Sequence, residues 1–354
     1  MNVNIGDRHI GDGFPCYLTF EAGPTHDGLA TAIELCRQAA AAGADAIKFQ
    51  LFDLDRLVAD RKQPFTYSVL VDRATGKMEE VTEPLYDILL RRHLKREEWA
   101  PLKAECDSLG LAFFSTAAFP EEIDFLAKLG CHSIKIASGD VSHHPLIRYA
   151  AKTGLCLQLD TGGSTLGEVE QAVDIILREG NSKIIIHQCP SGYPARLESI
   201  NLRIIPTLKQ MFQIPAAFSD HTPGWEMDIA ALALGANMLE KTITLDRTTR
   251  SVEHSFSLEK DEMPRFVKAI RDVETAMGGS RRIMGNEERA KRMMVRRSCF
   301  LGKAGKTGQT LSEDMVEYRR PGTGIPPDSV DRLIGSRLRR DLPAGSMLQW
   351  KDLE

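Results

Sequence analysis

The chain has 354 residues, with 45 lysines and arginines against 49 aspartates and glutamates and a formal net charge of −4. Hydrophobic residues make up 42% and charged residues 27%, values that exclude the intrinsically disordered and fibrous classes. The nearly balanced charge gives no reason to expect nucleic acid or an anionic membrane as a partner.

Two features of the sequence bear on its compartment. The first residues, MNVNIGDRHIGDGFP, lack the basic segment and apolar run of a signal peptide, and no run approaches the ~18 apolar residues of a membrane span. The seven cysteines are odd in number and never form a C-x-x-C pair. We therefore expect neither disulfides nor a zinc finger, and we expect a cytoplasmic protein.

Short apolar segments alternate with longer helical patterns. Eight of these segments are apolar on both faces, as buried parallel strands are. They are CYLTFEA (16–22), DAIKFQ (45–50), LAFFST (111–116), SIKIAS (133–138), LCLQLD (155–160), KIIIHQ (183–188), PAAFSD (215–220) and NMLEKT (237–242). The helical patterns at 30–42 and 120–129 each end at a glycine, as helices often do. Eight strand–helix repeats predict an α/β fold, the (β/α)8 TIM barrel.

Two segments interrupt the repeats. Residues 51–83 form a long insertion after the second strand, with turn signals at 72–76, which we expect to act as a lid or substrate wall. Residues 278–297 are punctuated by glycine and then basic, without aromatics, which favours a solvated helix or an inter-subunit contact over a nucleic-acid patch. We divide the chain into a barrel domain at 1–280, a linker at 281–297 and a small β-rich domain at 298–354.

The active site of such a barrel lies at the carboxyl ends of its strands, and those ends are unusually polar here. They carry Glu21, Lys48, Gln50, Thr116, Lys135, Ser138, Asp160, Gly162, Gly163, Ser164, Gln188, Ser191, Tyr193, Asp220, His221, Glu240, Lys241 and Thr242. Structural strand ends more often finish in Val, Ile or Gly. This ring therefore predicts a binding or catalytic site.

Lys48 and Lys135 form the cationic part of this ring. A lysine on a buried barrel strand is unfavourable unless it is paired, so each could serve structure alone by pairing with a carboxylate. Two of them, each followed by small or polar residues, favour a pocket for a phosphate and a carboxylate. The DTGGST segment at 160–165 is either a plain turn or a set of backbone N–H groups around an anion.

Two histidines follow strands at the same end. His221 comes after the seventh strand, and His26 lies in the loop after the first, beside Glu21. Histidine is a common ligand of divalent metals and a common acid or base, although each of these could instead be a supporting or surface residue. Because the chain has no H-x-x-H motif and no cysteine cluster, we expect any metal site to be sparse and open.

Nine motifs occur in order along the chain. They are FEAGPTHDG, KFQ, FFSTAAF, KIASGD, DTGG, QCPSGYPA followed by IN, FSDHTPG, LEKTITLDR and YRRPGTGIPP. Together they resemble the N-acetylneuraminate (sialic acid) synthase family, which includes the legionaminate and pseudaminate synthases. The resemblance spans nearly the whole chain and includes a C-terminal antifreeze-like (SAF) domain.

The resemblance implies an enzyme that condenses phosphoenolpyruvate with the open-chain aldehyde of an N-acylated hexosamine, N-acetylmannosamine or a related sugar. The products would be phosphate and a sialic-acid-like 2-keto acid, a nonulosonic acid. The resemblance also implies a domain-swapped homodimer and a divalent metal ion, Mn²⁺ or Mg²⁺, that activates the aldehyde.

The same resemblance implies roles for individual residues. Glu21 matches the family's essential carboxylate, His221 matches a metal ligand, and Arg320 matches the arginine that reaches across the dimer to the N-acyl group. Catalysis would rest on Glu21, His221, Lys48 and Lys135, and the substrates would also contact Gln50, Thr116, Ser138, Asp140, Asp160, Gly162, Gly163, Ser191 and Tyr193.

Several positions depart from the family pattern. Thr242 stands where the family has the histidine that is its second metal ligand, and Glu253 and His254 are the nearest replacements by sequence. Asp160 replaces a serine and adds a negative charge where phosphate is expected. Two smaller changes are Asp140 for glutamate and Gln188 for histidine. These changes leave the fold prediction intact and bear on the acceptor sugar, the metal and the activity.

Three alternatives stay open. The chain could act on a different aldose, or it could be a sugar-phosphate-binding protein that lacks synthase activity, which Thr242 and Asp160 would favour. It could also be a Schiff-base aldolase that uses Lys135 or Lys241, whose pKa would then have to be lowered.

Overall fold

The computed structural model describes residues 2–354, which form two compact units. The first unit ends at Gly278, and the second comprises Gly279–Glu354. Each unit has a hydrophobic core of its own.

A small antiparallel hairpin opens the first unit, with β1 at Val3–Ile5 and β2 at Arg8–Ile10. The buried side chains of this hairpin pack on Tyr17 and Met238, which lie at the starts of barrel strands. The hairpin therefore covers the amino-terminal mouth of the barrel and leaves the carboxyl end for a site.

Eight parallel strands close into a barrel. They are β3 (Tyr17–Glu21), β4 (Ala46–Gln50), β7 (Ala112–Thr116), β8 (Ser133–Ile136), β9 (Cys156–Asp160), β10 (Ile184–Gln188), β11 (Ala216–Asp220) and β12 (Met238–Thr242). Between β4 and β7 the chain forms a separate antiparallel pair, β5 (Pro64–Asp72) and β6 (Lys77–Pro84). Pairing of β12 with β3, with Thr242 opposite Glu21, closes the barrel. Each strand lies within a predicted segment, and the (β/α)8 fold is confirmed.

Helices surround the barrel. They are α1 (Leu29–Ala42), α2 (Leu54–Leu57), α3 (Leu85–Leu90), α4 (Trp99–Ser108), α5 (Pro120–Leu129), α6 (His144–Ala151), α7 (Leu166–Arg178), α8 (Leu197–Ile200), α9 (Ile204–Phe212), α10 (Glu226–Ala233) and α11 (Met263–Met277). The predicted glycine stops are present, because α1 and α5 end at Gly43 and Gly130 with φ of 89° and 82°. Strand side chains that point outward, such as Ile47, pack on the apolar faces of these helices, such as Leu35.

The insertion after β4 is more ordered than the long loop that the sequence indicated. Its β5 and β6 strands pair as a hairpin whose turn begins at the predicted position, with Asp72 opposite Lys77. Tyr67 and Val69 of β5 are buried against Ile88 of α3, so the hairpin is anchored to the helix that follows it.

The second unit holds α12 (Asn286–Val295), β13 (Ser298–Leu301), β14 (Val316–Arg319) and α13 (Val330–Leu333). Helix α12 lies within the predicted linker, and none of its side chains is buried. The two strands pair antiparallel around a core that includes Cys299 and Leu348.

All seven cysteines are buried and free. Within residues 2–354, no helix is both long enough and apolar enough to cross a membrane.

Candidate active site

A cavity of about 370 Å³ opens at the carboxyl ends of the barrel strands. Eleven predicted site residues line it, namely Glu21, Lys48, Gln50, Thr116, Ser138, Asp140, Asp160, Tyr193, His221, Glu240 and Glu253. The insertion contributes Leu57 and Phe65, and α3 contributes Leu85. The insertion is therefore part of the cavity wall, in agreement with one of the two roles expected for it.

The alternation of side chains along the strands places the charged residues inside the barrel. Tyr17, Ala46 and Met238 point inward near the starts of β3, β4 and β12 and pack on the amino-terminal hairpin. The residues two positions later face the same way, because strand side chains repeat with a period of two. Lys48 and Glu240 are consequently directed into the barrel, one layer closer to the cavity.

Five of these groups form one buried ionic network. Lys48 contacts a Glu21 oxygen and lies 2.7 Å from Glu240 Oε1. Lys135 lies 2.7 Å from Glu240 Oε2 and 3.0 Å from Asp160 Oδ1. Glu240 thus links the two lysines, and three carboxylates share two ammonium groups at the base of the cavity.

The network sets the protonation states of its members. Burial would raise the pKa of Glu240, but Lys135 and Lys48 hold it well below its usual range. Burial would lower the pKa of Lys135, but Asp160 and Glu240 raise it above its usual value. For Lys48, burial prevails over the attraction of Glu240 and lowers the pKa, and the repulsion of Lys135 adds to this effect.

A second layer of polar side chains supports the network, and the sequence analysis missed it. His187 lies 3.0 Å from Ser219 Oγ and 3.0 Å from Gln158 Oε1, and Ser219 accepts a 2.9 Å hydrogen bond from Lys135. Burial and the nearby Lys135 lower the pKa of His187 to about 3, so this ring is neutral. The alternation of side chains on β10 could have identified His187, because neighbouring strand residues face opposite ways. The sequence analysis singled out Gln188 instead, which donates to Ile200 O.

The turn after β9 approaches Ser138 closely. Gly162 N donates to Ser138 Oγ at 3.2 Å, and a Cβ on Gly162 would lie only 2.7 Å from that oxygen. A glycine is therefore required at this position. Gly163 and Ser191 do not line the main cavity and instead line a neighbouring one of about 880 Å³.

His221 is held with one ring nitrogen occupied. Its Nδ1 lies 3.1 Å from Pro190 O, and its ring lies against that of Tyr193 at an interplanar angle of 37°, with centroids 4.7 Å apart. Glu253 lines the same cavity and accepts a 3.2 Å hydrogen bond from Thr242. Burial raises the pKa of Glu253, while the charge of His221 opposes this rise.

The fit of these residues to a divalent ion rests on His221 and Glu253. An imidazole nitrogen and a carboxylate oxygen suit Mn²⁺. Thr242 supplies only a neutral hydroxyl, and both His254 nitrogens are engaged, Nδ1 with Thr244 and Nε2 with Arg92. Among residues 2–354 no group of three or more His, Cys, Asp or Glu side chains is arranged for a metal. The two side chains of this cavity wall whose chemistry suits such an ion are therefore His221 and Glu253.

The remaining predicted residues lie elsewhere. Lys241 is fully buried, contacts Asp220 and Asp228, and does not line the cavity. His26 is buried beside Phe49 and is likewise outside the cavity lining. Arg320 is exposed in the second unit, directly after β14.

The comparisons with known proteins agree with this arrangement. The NeuB family matches residues 35–282, and the SAF domain matches residues 306–354. The N,N'-diacetyllegionaminic acid synthase of Legionella pneumophila is 35% identical over 354 residues, which cover 99% of this chain and 98% of that protein. The N-acetylneuraminate-9-phosphate synthase of Homo sapiens is 29% identical over 340 residues, which cover 94% and 90%.

The solved structures give the same result. The N-acetylneuraminic acid (sialic acid) synthetase of Leptospira borgpetersenii, in complex with citrate, aligns with a TM-score of 0.71 at 27% identity, over 82% of this chain and 95% of that chain. The predicted resemblance to synthases of the sialic acid type is confirmed, as is the C-terminal SAF domain. The chain is an enzyme of this type and belongs to the NeuB family.

Proposed function

We propose that the chain condenses phosphoenolpyruvate with the open-chain aldehyde of an N-acylated hexosamine and releases a nonulosonic acid and phosphate. The observation that carries this proposal is a pair of lysines at the base of the cavity, Lys48 on β4 and Lys135 on β8. Glu240 contacts both of them. Phosphoenolpyruvate carries a phosphate and a carboxylate, and two fixed cations can hold both through the reaction.

In the proposed reaction, C3 of phosphoenolpyruvate forms a bond to the aldehyde carbon. Water adds at C2, and phosphate leaves from the resulting tetrahedral centre by cleavage of the C2–O bond. Thr116, Ser138 and the Gly162 turn would hold the phosphate with the lysines, beside Asp140. Gln50 and Tyr193 would contact the sugar, and Ser191 would approach it from the neighbouring cavity.

Glu21 is positioned to act at the aldehyde. One of its oxygens accepts a hydrogen bond from Gly23 N, and the other contacts Lys48. These contacts fix the orientation of the carboxylate. It would orient the aldehyde or carry the proton that the new hydroxyl receives.

A divalent ion, Mn²⁺ or Mg²⁺, would be held by His221 and Glu253. When bound, it would polarise the aldehyde oxygen as a Lewis acid. Glu253 would thereby take the place of the histidine that Thr242 replaces. His254, the other replacement considered, faces the Arg92 guanidinium, which disfavours a second cation beside it.

The quaternary arrangement is proposed from the family resemblance. It is a domain-swapped homodimer in which Arg320 of the partner subunit contacts the N-acyl group of the sugar. The free cysteines support a reducing compartment, the cytoplasm.

The structure bears differently on two alternative functions, a Schiff-base aldolase and a binding protein. The raised pKa of Lys135 and that of Lys241 keep both amines protonated, which disfavours a Schiff-base aldolase. A binding protein without synthase activity is favoured by one contact, because Asp160 already occupies the Lys135 ammonium that phosphate would need.

The test is phosphate release from phosphoenolpyruvate by the full chain with Mn²⁺. N-acylated mannosamine, altrosamine and gulosamine derivatives and simple aldoses serve as acceptors, with and without chelator. We expect release that depends on one N-acylated sugar and is lost on chelation. If phosphoenolpyruvate binds but no sugar supports phosphate release, the result would instead support a binding protein without synthase activity.

A further inference from the structure

Arg92 is a buried cation in the cavity wall that the proposed reaction does not use. It is the second residue after α3, is 5% exposed, and lines the main cavity. The family resemblance did not single it out.

Every polar contact of Arg92 is to a neutral group. Its Nη1 donates to the backbone oxygen of His26, and its Nη2 lies 3.1 Å from His254 Nε2. A guanidinium can only donate, so His254 Nε2 must accept and the His254 ring is neutral. The Nε atom is buried without a hydrogen-bond partner in the described part of the chain.

Arg92 has no anionic partner in the described part of the chain. Within residues 2–354 no carboxylate lies within 4.0 Å of its guanidinium, and the neighbouring Arg91 pairs with Glu83 instead. A buried charge is strongly unfavourable unless it is paired and hydrogen-bonded. The guanidinium also carries Nη–H groups beyond these two contacts, and such groups bind carboxylates and phosphates.

The position of Arg92 separates it from two of the proposed phosphoenolpyruvate residues, Ser138 and Asp160. Its two contacts lie in the loops after β3 and β12, whereas Ser138 and Asp160 follow β8 and end β9. In the order of the barrel, β12 and β3 stand opposite β8 and β9. Arg92 is therefore across the mouth from Ser138 and Asp160, whereas Lys48 lies on β4, beside β3.

Apolar side chains line part of the cavity that Arg92 lines. Leu85, Ile88 and Leu89 of α3 and Phe65 of the insertion line this side of the cavity. An ionic contact is stronger in such surroundings than in water, because the local dielectric is low.

From this juxtaposition of an unpaired buried guanidinium with the acceptor side of the cavity, we propose that Arg92 binds an anionic substituent of the acceptor sugar. The substituent is a phosphate ester or a carboxylate at the end remote from the aldehyde. This inference rests on the proposed function and makes Arg92 a residue that determines acceptor specificity.

The test compares three acceptors with wild-type enzyme and two variants. The acceptors are N-acetylmannosamine, its 6-phosphate, and N-acetylmannosaminuronic acid, whose C6 is a carboxylate. The variants are Arg92→Gln and, as the matched control, Arg91→Gln, whose arginine pairs with Glu83. Calorimetric binding and thermal stabilisation are measured beside phosphate release, so that the inference is tested even if no sugar turns over.

We expect the wild type to bind one of the anionic sugars about 10- to 100-fold more tightly than the neutral sugar, as for a charge-assisted hydrogen-bonded pair. Arg92→Gln should remove this preference, Arg91→Gln should retain it, and Arg92→Lys should retain part of it. If Arg92→Gln does not fold, Arg92→Leu provides the same test, because α3 already contributes leucines here.

Equal binding of neutral and anionic sugars by the wild type would overturn the inference and leave the proposed function intact. So would a preference that survives in Arg92→Gln. Absence of phosphate release with all three sugars, while the anionic sugar still binds through Arg92, would count against the proposed function alone.

Discussion

Glu240 on β12 binds Lys135 from β8, on the opposite side of the barrel, through a 2.7 Å contact at Oε2. Its other oxygen binds Lys48 at 2.7 Å. Glu240→Gln removes the carboxylate that links the two lysines but leaves Lys48 with Glu21 and Lys135 with Asp160, so we expect the free energy of unfolding to fall by about 1.5–3 kcal/mol, the loss of a charged hydrogen bond. Chemical denaturation measures this change.

The control for this measurement is Lys268→Met. Lys268 pairs with Asp272, the two side chains are 74% and 62% exposed, and surface pairs contribute about 0–1 kcal/mol. A loss in Glu240→Gln no larger than that of the control would show that the network does not stabilise the barrel.

Asp160 competes with phosphate for Lys135, because it lies 3.0 Å from the ammonium nitrogen. Asp160→Ser frees that ammonium, and we expect the KM for phosphoenolpyruvate to fall by about tenfold, the effect of one charged hydrogen bond. Steady-state kinetics with the acceptor at saturation measure it. Asp124→Ser, an exposed site bound to Tyr149, serves as control. A higher KM in Asp160→Ser would mean that Asp160 instead holds Lys135 in position.

Glu253 is the proposed second metal ligand. Glu253→Gln keeps the shape of the side chain but removes its charge. The Mn²⁺ concentration for half-maximal activity should therefore rise at least about tenfold, the effect of losing a group that supports a metal site. Direct Mn²⁺ binding by electron paramagnetic resonance provides a readout besides activity.

A complementary variant, Thr242→His, restores the imidazole that the family carries at this position. We expect it to lower the Mn²⁺ requirement of the wild type and to rescue part of the Glu253→Gln defect. Unchanged Mn²⁺ binding in both variants would remove Glu253 and position 242 from the metal site.

Three buried histidines make stability depend on pH. Burial, together with Arg92 or Lys135, lowers the pKa of His26 to about 4 and those of His187 and His254 to about 3. In the unfolded chain each histidine binds a proton below about pH 6.5. The unfolded state thus binds more protons, and the free energy of unfolding falls as the pH falls from about 6.5 towards 4.

The slope should be about 1.4 kcal/mol per pH unit for each of these histidines, once the pH is below the unfolded pKa. Denaturant unfolding between pH 7 and 5 measures it. His187→Gln should remove about a third of the slope contributed by the three, whereas His9→Gln, at an exposed ring, should leave it unchanged. An unchanged slope in His187→Gln would contradict the buried neutral state.

The fold and most of the site were predictable from the sequence, because they depend on local patterns. Runs apolar on both faces identify buried parallel strands, and the ends of such strands meet at one mouth. Lys48, Lys135 and Asp160 were found in this way, and the structure brings all three into one network.

The rest depends on contacts between distant parts of the chain. The support of Lys135 by Ser219 and His187 joins β8, β10 and β11, and no local pattern shows it. Arg92 lies just after a short helix in what reads as a basic, solvated segment. Its burial follows only from the packing of the insertion hairpin and α3 over the barrel mouth.

The most direct test of the proposed condensation is the stoichiometry of its two products in one reaction. Phosphate and the 2-keto acid are measured together, by a colorimetric assay and by mass spectrometry, with phosphoenolpyruvate, Mn²⁺ and the acceptor that supports release. We expect one phosphate for each nonulosonic acid and neither product without the sugar. Phosphate release that continues without an acceptor, or a sugar adduct trapped on lysine by borohydride, would contradict the proposed mechanism.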